Sequence, residues 1–238
     1  MIDHSMKIDL KQLARYIDIS LVRTDVTYEE IETMVDACVK YGFINADVMP
    51  VFTPRLRNRL IMRGATRTQL VGVSGFPSGA NTTEMKVLET KEQIRMGCLE
   101  MDTVINVGAL KSGDYDMVLD DLKAFVDACE GLPSKGILEI CYLTDDEIKR
   151  GSELVVKSGC TFVKTGTGWG PKPTTVDTIK TIKSVVGNDI YIKAAGGVRD
   201  LDTLLAMADE GCCRWGIGTK SAVRIMEEAA VRLADEEK

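Results

Sequence analysis

Eight apolar runs, each followed by an amphipathic segment, predict a single-domain (β/α)8 barrel for this chain of 238 residues. Each strand–helix unit takes roughly 25–30 residues, which suits a strand, a helix and two short loops. Polar side chains also recur where the apolar runs end, as at the active face of such barrels. A doubly wound sheet is the alternative, but it usually has fewer strands and a GxGxxG turn after the first. Here Leu21-Val22-Arg23-Thr24 follows the first run.

The strands are predicted from runs of apolar and β-branched residues. They are residues 14–20, 43–48, 69–74, 101–107, 136–140, 161–164, 190–194 and 214–218. The amphipathic helices are predicted at residues 28–41, 54–63, 83–96, 114–129, 145–157, 175–186, 201–210 and 219–234. Thr27 with Glu30, and Thr144 with Glu147, form capping boxes at two helix starts. Residues 1–12 are predicted to be an extension or short helix and 219–238 a C-terminal helix, within one domain spanning 1–238.

Composition excludes several classes of function. The net charge of −6 argues against a nucleic-acid partner. No run of 18 apolar residues and no signal-peptide core appears, so we expect no membrane partner and a cytoplasmic location. The seven cysteines lack CxxC spacing and are expected to be reduced thiols. His4, near the start of the chain, is the one histidine. A histidine-based zinc site or a Ser-His-Asp triad therefore has no suitable histidine, and we expect no metal and no cofactor.

Acid–base chemistry therefore falls to lysines and carboxylates. Lys164 and Lys193 each end an apolar run and precede a glycine-rich turn. Lysine is unusual inside a strand, so these two predict a shared site in which one amine forms an imine with a carbonyl substrate. A neighbouring ammonium and burial would lower the pKa of that amine, and Asp102 could move protons. The alternative is that both lysines only form salt bridges with barrel aspartates.

Further polar residues are predicted on the inner faces of the strands, because side chains two apart share a face. The pairs are Asp18 and Ser20, Asn45 and Asp47, and Asp102 and Asn106, with Glu139 in the fifth strand. Glycine turns after strands six to eight predict an anion site, with Arg199 and Lys220 adding positive charge. The anion could be a phosphate or a carboxylate, and the glycines could instead serve only as tight turns.

Five stretches make the chain resemble the deoxyribose-phosphate aldolases, which are class I aldolases on a (β/α)8 barrel. They are residues 74–84 (SGFPSGANTTE), 100–113 (EMDTVINVGALKSG), 138–144 (LEICYLT), 162–168 (FVKTGTG) and 193–199 (KAAGGVR). The resemblance implies reversible cleavage of 2-deoxyribose 5-phosphate to glyceraldehyde 3-phosphate and acetaldehyde, without a cofactor, by a homodimer or larger homo-oligomer. It implies that Lys164 forms the imine and that Asp102 and Lys193 assist it.

The same resemblance places Asp18 and Ser20 at the substrate and Gly168, Gly196, Gly197 and Gly218 at the phosphate. The full set of predicted substrate-binding residues is Asp18, Ser20, Asn45, Asp47 and Thr167, and that of phosphate-binding residues is Gly168, Gly196, Gly197, Arg199, Gly218, Thr219 and Lys220. The members that the resemblance does not assign are predicted from their charge or their position. The sequence departs from the family at strand 2, where Ala46-Asp47-Val48 stands for the usual Val-Cys-Val. We therefore expect either a donor more hydroxylated than acetaldehyde, bonded by Asp47 and Asn45, or an ordinary aldolase in which Asp47 pairs with a lysine.

Two other functions remain open at this point. One is a phospho-sugar-binding barrel without turnover, although binding alone does not need a nucleophile. The other keeps the imine but transfers the fragment to another aldehyde or decarboxylates it, and product analysis would separate these reactions.

Overall fold

The computed structural model describes residues 8–236, which form a closed barrel of eight parallel strands. Each strand pairs with the next along the chain, and the eighth pairs with the first, which confirms the predicted (β/α)8 fold. The strands are β1 (Ile17–Leu21), β2 (Asn45–Val48), β3 (Gln69–Ser74), β4 (Glu100–Val104), β5 (Ser134–Ile137), β6 (Phe162–Lys164), β7 (Tyr191–Ala195) and β8 (Arg214–Gly218).

Helices connect the strands on the outside of the barrel. They are α1 (Tyr28–Tyr41), α2 (Thr53–Met62), α3 (Thr83–Arg95), α4 (Val107–Lys111), α5 (Tyr115–Ala128), α6 (Asp145–Ser158), α7 (Val176–Val186), α8 (Leu201–Asp209) and α9 (Thr219–Glu236). Both predicted capping boxes are present, with Thr27 and Glu30 starting α1 and Thr144 and Glu147 starting α6. Between residues 8 and 236, no helix combines the length and the apolar character needed to cross a membrane.

Three strand boundaries differ from the prediction by three residues, and the other differences are smaller. Residues Leu10–Tyr16 form a 3-10 turn, so β1 begins at Ile17. Strand β4 ends at Val104, and Asn106 instead caps the unpredicted helix α4, where its side chain accepts a hydrogen bond from Ala109 N at 2.9 Å. Strand β5 ends at Ile137, and Glu139 lies beyond it in a left-handed conformation (φ 55°). The predicted extension 1–12 and the predicted C-terminal helix 219–238 extend beyond the described residues. His4 also lies outside the described residues.

The two faces of each strand have different environments. In β1, Ile17 and Ile19 are fully buried in the apolar layer between strands and helices, whereas Asp18 points into the barrel. The barrel interior is polar instead of apolar over much of its height. Its buried polar side chains include Asp18, Asn45, Asp47, Asp102, Lys135, Lys164 and Lys193. Buried charges must be paired or functional, so this interior is where the site is expected.

Candidate active site

Asp102 on β4 is the centre of the ionic cluster inside the barrel. Its Oδ2 accepts from Lys164 Nζ at 2.6 Å and from Lys193 Nζ at 3.3 Å. Its Oδ1 accepts from Lys135 Nζ at 2.8 Å. The side chain is fully buried, and burial alone would raise its pKa. The three ammonium groups outweigh burial and hold the pKa well below its usual range, so Asp102 is a carboxylate.

The two candidate lysines differ in how many carboxylates they face. Lys193 donates to both Asp18 and Asp102, and its Nζ lies 3.9 Å from Asp47 Oδ2. These carboxylates overcome burial and raise the pKa of Lys193, which therefore stays an ammonium. Lys164 has one direct carboxylate partner. Burial lowers its pKa and the charge of Lys193 lowers it further, while Asp102 opposes both, so the pKa of Lys164 is below its usual value.

Lys164 lies at the base of a cavity of about 440 Å³ at the carboxyl ends of the strands. The cavity is the space in which a substrate carbonyl could reach the Lys164 amine. Of the predicted site residues, those that line it are Ser20, Asp47, Lys164, Thr167, Gly168, Gly196, Gly197, Arg199, Gly218, Thr219 and Lys220. The lining therefore includes every residue predicted for the anion site.

The glycine turns form the upper wall of this cavity. Gly168 and Gly196 both have positive φ, 84° and 85°, and they approach so closely that a Cβ on Gly196 would lie 3.3 Å from Gly168 Cα. The N-terminus of α9 begins beside them at Thr219, where the first N–H groups of a helix have no intrahelical acceptor. Exposed Arg199 and Lys220 add positive charge to the same wall. This arrangement suits an anionic group such as a phosphate.

The comparison with known families agrees with this geometry. The sequence model of the DeoC/LacD family aldolases matches residues 53–216, which is more than half of the chain. The matched span includes Asp102, Lys164 and Lys193. The chain belongs to the DeoC/LacD aldolase family.

Individual aldolases resemble the chain over most of its length. A deoxyribose-phosphate aldolase of Sinorhizobium medicae is 43% identical over 220 residues, which are 92% of this chain and 88% of the relative. The solved structure of QR15, an aldolase, matches with a TM-score of 0.86 at 34% identity and covers 95% of this chain and 98% of its own. A tetrameric deoxyribose phosphate aldolase from Aeropyrum pernix matches with a TM-score of 0.82 at 26% identity, over 92% of this chain and 91% of its own.

Within this aldolase barrel, the predicted substrate residues separate into two depths. Ser20, Asp47 and Thr167 line the cavity. Asp18 and Asn45 lie beneath it, fully buried, where Asn45 Nδ2 donates to Asp18 Oδ1 at 3.0 Å. The structure thus separates Asn45 from Asp47, although both are on the inner face of β2. Burial opposes the charge of Asp18, but Lys193 and Arg214 hold its pKa below the usual value.

Three charged residues beneath the DeoC/LacD lysines were missed by the sequence analysis. Lys135 contacts Glu100 Oε2 at 2.6 Å as well as Asp102, and Arg214 donates to Asp18 Oδ1 at 3.0 Å. They form the lower half of the ionic cluster and hold Asp18 and Asp102 from below. Arg214 begins a predicted strand, and Glu100 and Lys135 each directly precede one. These charged residues were the available signal, but charges at such positions are equally common at solvent-exposed strand ends.

Glu139 has a role different from the one predicted in the fifth strand. Its Oε2 accepts from the backbone N of Thr167 at 3.1 Å, and its Oε1 accepts from the Cys141 thiol at 3.3 Å. The turn after Lys164 is further held by Trp169, whose Nε1 donates to Val22 O at 2.8 Å. Glu139 and Trp169 therefore position the glycine turn against the cavity.

Proposed function

We propose that the chain is a class I aldolase that cleaves and forms a C–C bond in a phosphorylated sugar through an imine on Lys164. The observation that carries the proposal is a buried lysine with a lowered pKa that opens on a cavity and shares one carboxylate oxygen with a second, protonated lysine. The names of its relatives support 2-deoxyribose 5-phosphate as a substrate, with glyceraldehyde 3-phosphate and acetaldehyde as products.

The proposed reaction proceeds through an imine and then an enamine on Lys164. The neutral Lys164 amine attacks the aldehyde carbon C1, and loss of water gives a protonated imine. The C3 hydroxyl then loses its proton, the C2–C3 bond breaks, and its electron pair passes into an enamine while glyceraldehyde 3-phosphate leaves. Protonation of the enamine at C2 and addition of water release acetaldehyde and restore the amine. Proton transfers of this kind need an acid and a base within reach of the reacting atoms.

The charged neighbours of Lys164 serve these steps in different ways. Asp102 accepts a hydrogen bond from Lys164 Nζ at 2.6 Å, so it fixes the direction of the amine and balances the positive charge of the imine. Lys193 stays protonated and disfavours a second ammonium beside it. The glycine turns, the N-terminus of α9, Arg199 and Lys220 would bind the phosphate and place C1 near Lys164.

We also propose a homo-oligomer that works in the cytoplasm. A tetrameric relative with the same fold supports self-association. All seven cysteines are free thiols in the described part of the chain, which suits a reducing compartment.

The test is intact-mass spectrometry after borohydride reduction in the presence of 2-deoxyribose 5-phosphate or acetaldehyde. We expect the parent to gain a reduced two-carbon fragment from either compound. Lys164→Ala should lose the mass gain, and Lys172→Ala, which removes an exposed lysine from the following loop, should keep it. A folded parent that gains no mass with either compound would overturn the proposal in favour of a barrel that only binds phospho-sugars. Release of glyceraldehyde 3-phosphate in unreduced samples separates cleavage from decarboxylation.

A further inference from the structure

Asp47 is a buried charged residue of the cavity that the proposed reaction does not use. It lies on β2 between Asn45 and Val48, is 2% exposed, and lines the cavity together with Lys164. Its Oδ1 has no hydrogen-bond partner within residues 8–236. Its Oδ2 lies 3.9 Å from Lys193 Nζ, which is an ion pair but too long for a hydrogen bond.

The other two aspartates of the barrel interior are fully bonded. Asp18 accepts from Lys193 through one oxygen and from Asn45 and Arg214 through the other. Asp102 accepts from two lysines through one oxygen and from a third through the other. Leaving a buried carboxyl without hydrogen bonds is costly, and groups of this kind in native structures require an explanation. Asp47 has the unused bonding capacity, and it faces the space that the substrate would fill.

The position of Asp47 determines which part of the substrate lies near its carboxyl group. Lys193 Nζ lies 3.9 Å from Asp47 and 3.3 Å from Asp102 Oδ2, and that oxygen is 2.6 Å from Lys164 Nζ. Asp47 therefore shares Lys193 as an ionic neighbour with Asp102, the partner of the amine that would hold the donor fragment, and it lines the same cavity as that amine. The glycine turns and the N-terminus of α9, where the phosphate would bind, form the outer wall of the cavity instead.

The ionisation of Asp47 suits a hydroxyl group. Burial raises its pKa to about 7, and the charges of Asp18 and Asp102 act in the same direction against that of Lys193. Near neutral pH the carboxyl can therefore donate or accept a hydrogen bond, and a hydroxyl can do the same. A methyl group in this place would leave Asp47 unpaired in the complex as well.

We propose that Asp47 recognises a hydroxyl on the donor fragment held by Lys164, so that the enzyme prefers 2-hydroxy aldehydes and ketones of the glycolaldehyde and hydroxyacetone class over acetaldehyde. This inference rests on the imine-forming role proposed for Lys164. Addition then starts when the carbon bearing the hydroxyl loses a proton to give the enamine. That carbon forms the new bond to the acceptor aldehyde, whose oxygen takes up a proton, and water releases the product from Lys164. The product is a phosphorylated sugar with a hydroxyl where the deoxy sugar has a methylene.

The experiment is competitive trapping with acetaldehyde and glycolaldehyde at equal concentration, followed by borohydride reduction and intact-mass spectrometry. The ratio of hydroxyethyl to ethyl adduct is measured, with the background of Lys164→Ala subtracted. We expect the hydroxyethyl adduct to dominate in the parent. Asp47→Val removes the carboxyl at similar volume and should lower the ratio by about tenfold or more, the cost of one lost hydrogen bond in a buried site.

Two further variants make the result specific to Asp47. Ser74→Ala removes another buried side chain whose Oγ has no partner in the described chain, from the neighbouring strand β3, and should leave the ratio unchanged. Asp47→Asn keeps the shape and a hydrogen bond and should retain most of the preference, which guards against a Val variant that fails to fold. Initial rates of addition to glyceraldehyde 3-phosphate, with hydroxyacetone included as donor, provide a second readout.

The outcomes distinguish this inference from the proposed function. Acetaldehyde outcompeting both hydroxylated donors in the parent, or an equal ratio in the parent and a folded Asp47→Val, would overturn the role of Asp47 while the adducts still support the aldolase. Absence of any Lys164-dependent adduct would overturn the proposed function itself.

Discussion

Two buried lysine–carboxylate pairs in this barrel have the same distance but different surroundings. Lys86 Nζ lies 2.6 Å from Asp121, and Lys164 Nζ lies 2.6 Å from Asp102. Both lysine side chains are at most 6% exposed. Lys86 reaches from α3 to α5 and also donates to Val104 O at 2.8 Å, so its bonds are supplied by the fold. A close and buried ion pair is therefore compatible with a purely structural role.

The Lys164–Asp102 pair differs from the Lys86–Asp121 pair in two respects, although the N–O distance is the same. It lies at a cavity, and its carboxylate also binds Lys193. The second ammonium competes for Asp102 and lowers the pKa of Lys164 beyond the effect of burial. The comparison indicates that access and a neighbouring cation, instead of the ion pair itself, distinguish Lys164 as the nucleophile that we propose.

Removing the second cation should have the largest effect on activity. In Lys193→Met we expect the pKa of Lys164 to rise, because burial remains but the repulsion from Lys193 is lost. The fraction of neutral amine at neutral pH then falls, and trapping of the imine should slow by about a hundredfold or more. The measurement is the rate of adduct formation with 2-deoxyribose 5-phosphate as a function of pH. The deficit should shrink as the pH rises, and a profile parallel to that of the parent would show that Lys193 does not tune Lys164.

Breaking the structural pair should affect stability instead. Lys86→Met leaves Asp121 buried with Thr83 as its remaining partner, and the loss of one member of a buried pair costs about 3–5 kcal/mol of unfolding free energy. Urea denaturation measures this loss. The folded variant should keep the pH profile of imine trapping, because Lys86 acts on the packing of α3 and α5. A shifted profile at normal stability would mean that the two lysine pairs are coupled.

The sequence was sufficient to predict the fold and to single out Lys164 and Lys193 as candidates, because both depend on local patterns. Apolar runs alternating with amphipathic segments predict the barrel, and a lysine at the end of such a run is conspicuous. The depth of each polar side chain within the barrel could not be predicted from these patterns. Side chains two residues apart share a face but lie about 6.6 Å apart along the strand. This distance is enough for Asp47 to line the cavity while Asn45 lies buried beneath it.

The lower ionic cluster was missed for a related reason. Whether Lys135, Glu100 and Arg214 point inward depends on the register of all eight strands, which is set only when the barrel closes. The end of β5 also could not be predicted from local patterns. The run Leu138-Glu139-Ile140 reads as a continuing strand, yet the chain leaves the sheet there so that Glu139 can bind the turn after Lys164.

Asp47, a buried carboxyl without hydrogen bonds, is the third case, and its expected effect on stability is smaller than that of losing Lys86. The folded pKa of Asp47 is about 7 against a reference of 3.8, so between these values the folded state binds more protons than the unfolded state. The contribution of Asp47 to the free energy of unfolding is therefore greatest at acidic pH and declines as the pH rises through 7. Asn at this position does not titrate, so Asp47→Asn removes this decline.

The measurement compares urea unfolding of the parent and Asp47→Asn from pH 4 to pH 8. Relative to the parent, the variant should gain about 2–4 kcal/mol across this range, because one unit of pKa shift corresponds to about 1.4 kcal/mol. Ser74→Ala is the matched control, since it also removes an unpaired buried polar atom but no titrating group. A constant difference between parent and Asp47→Asn would mean that Asp47 titrates alike in both states. Lys193 would then hold it as firmly as Lys86 holds Asp121, and the donor would meet a carboxylate that is already paired.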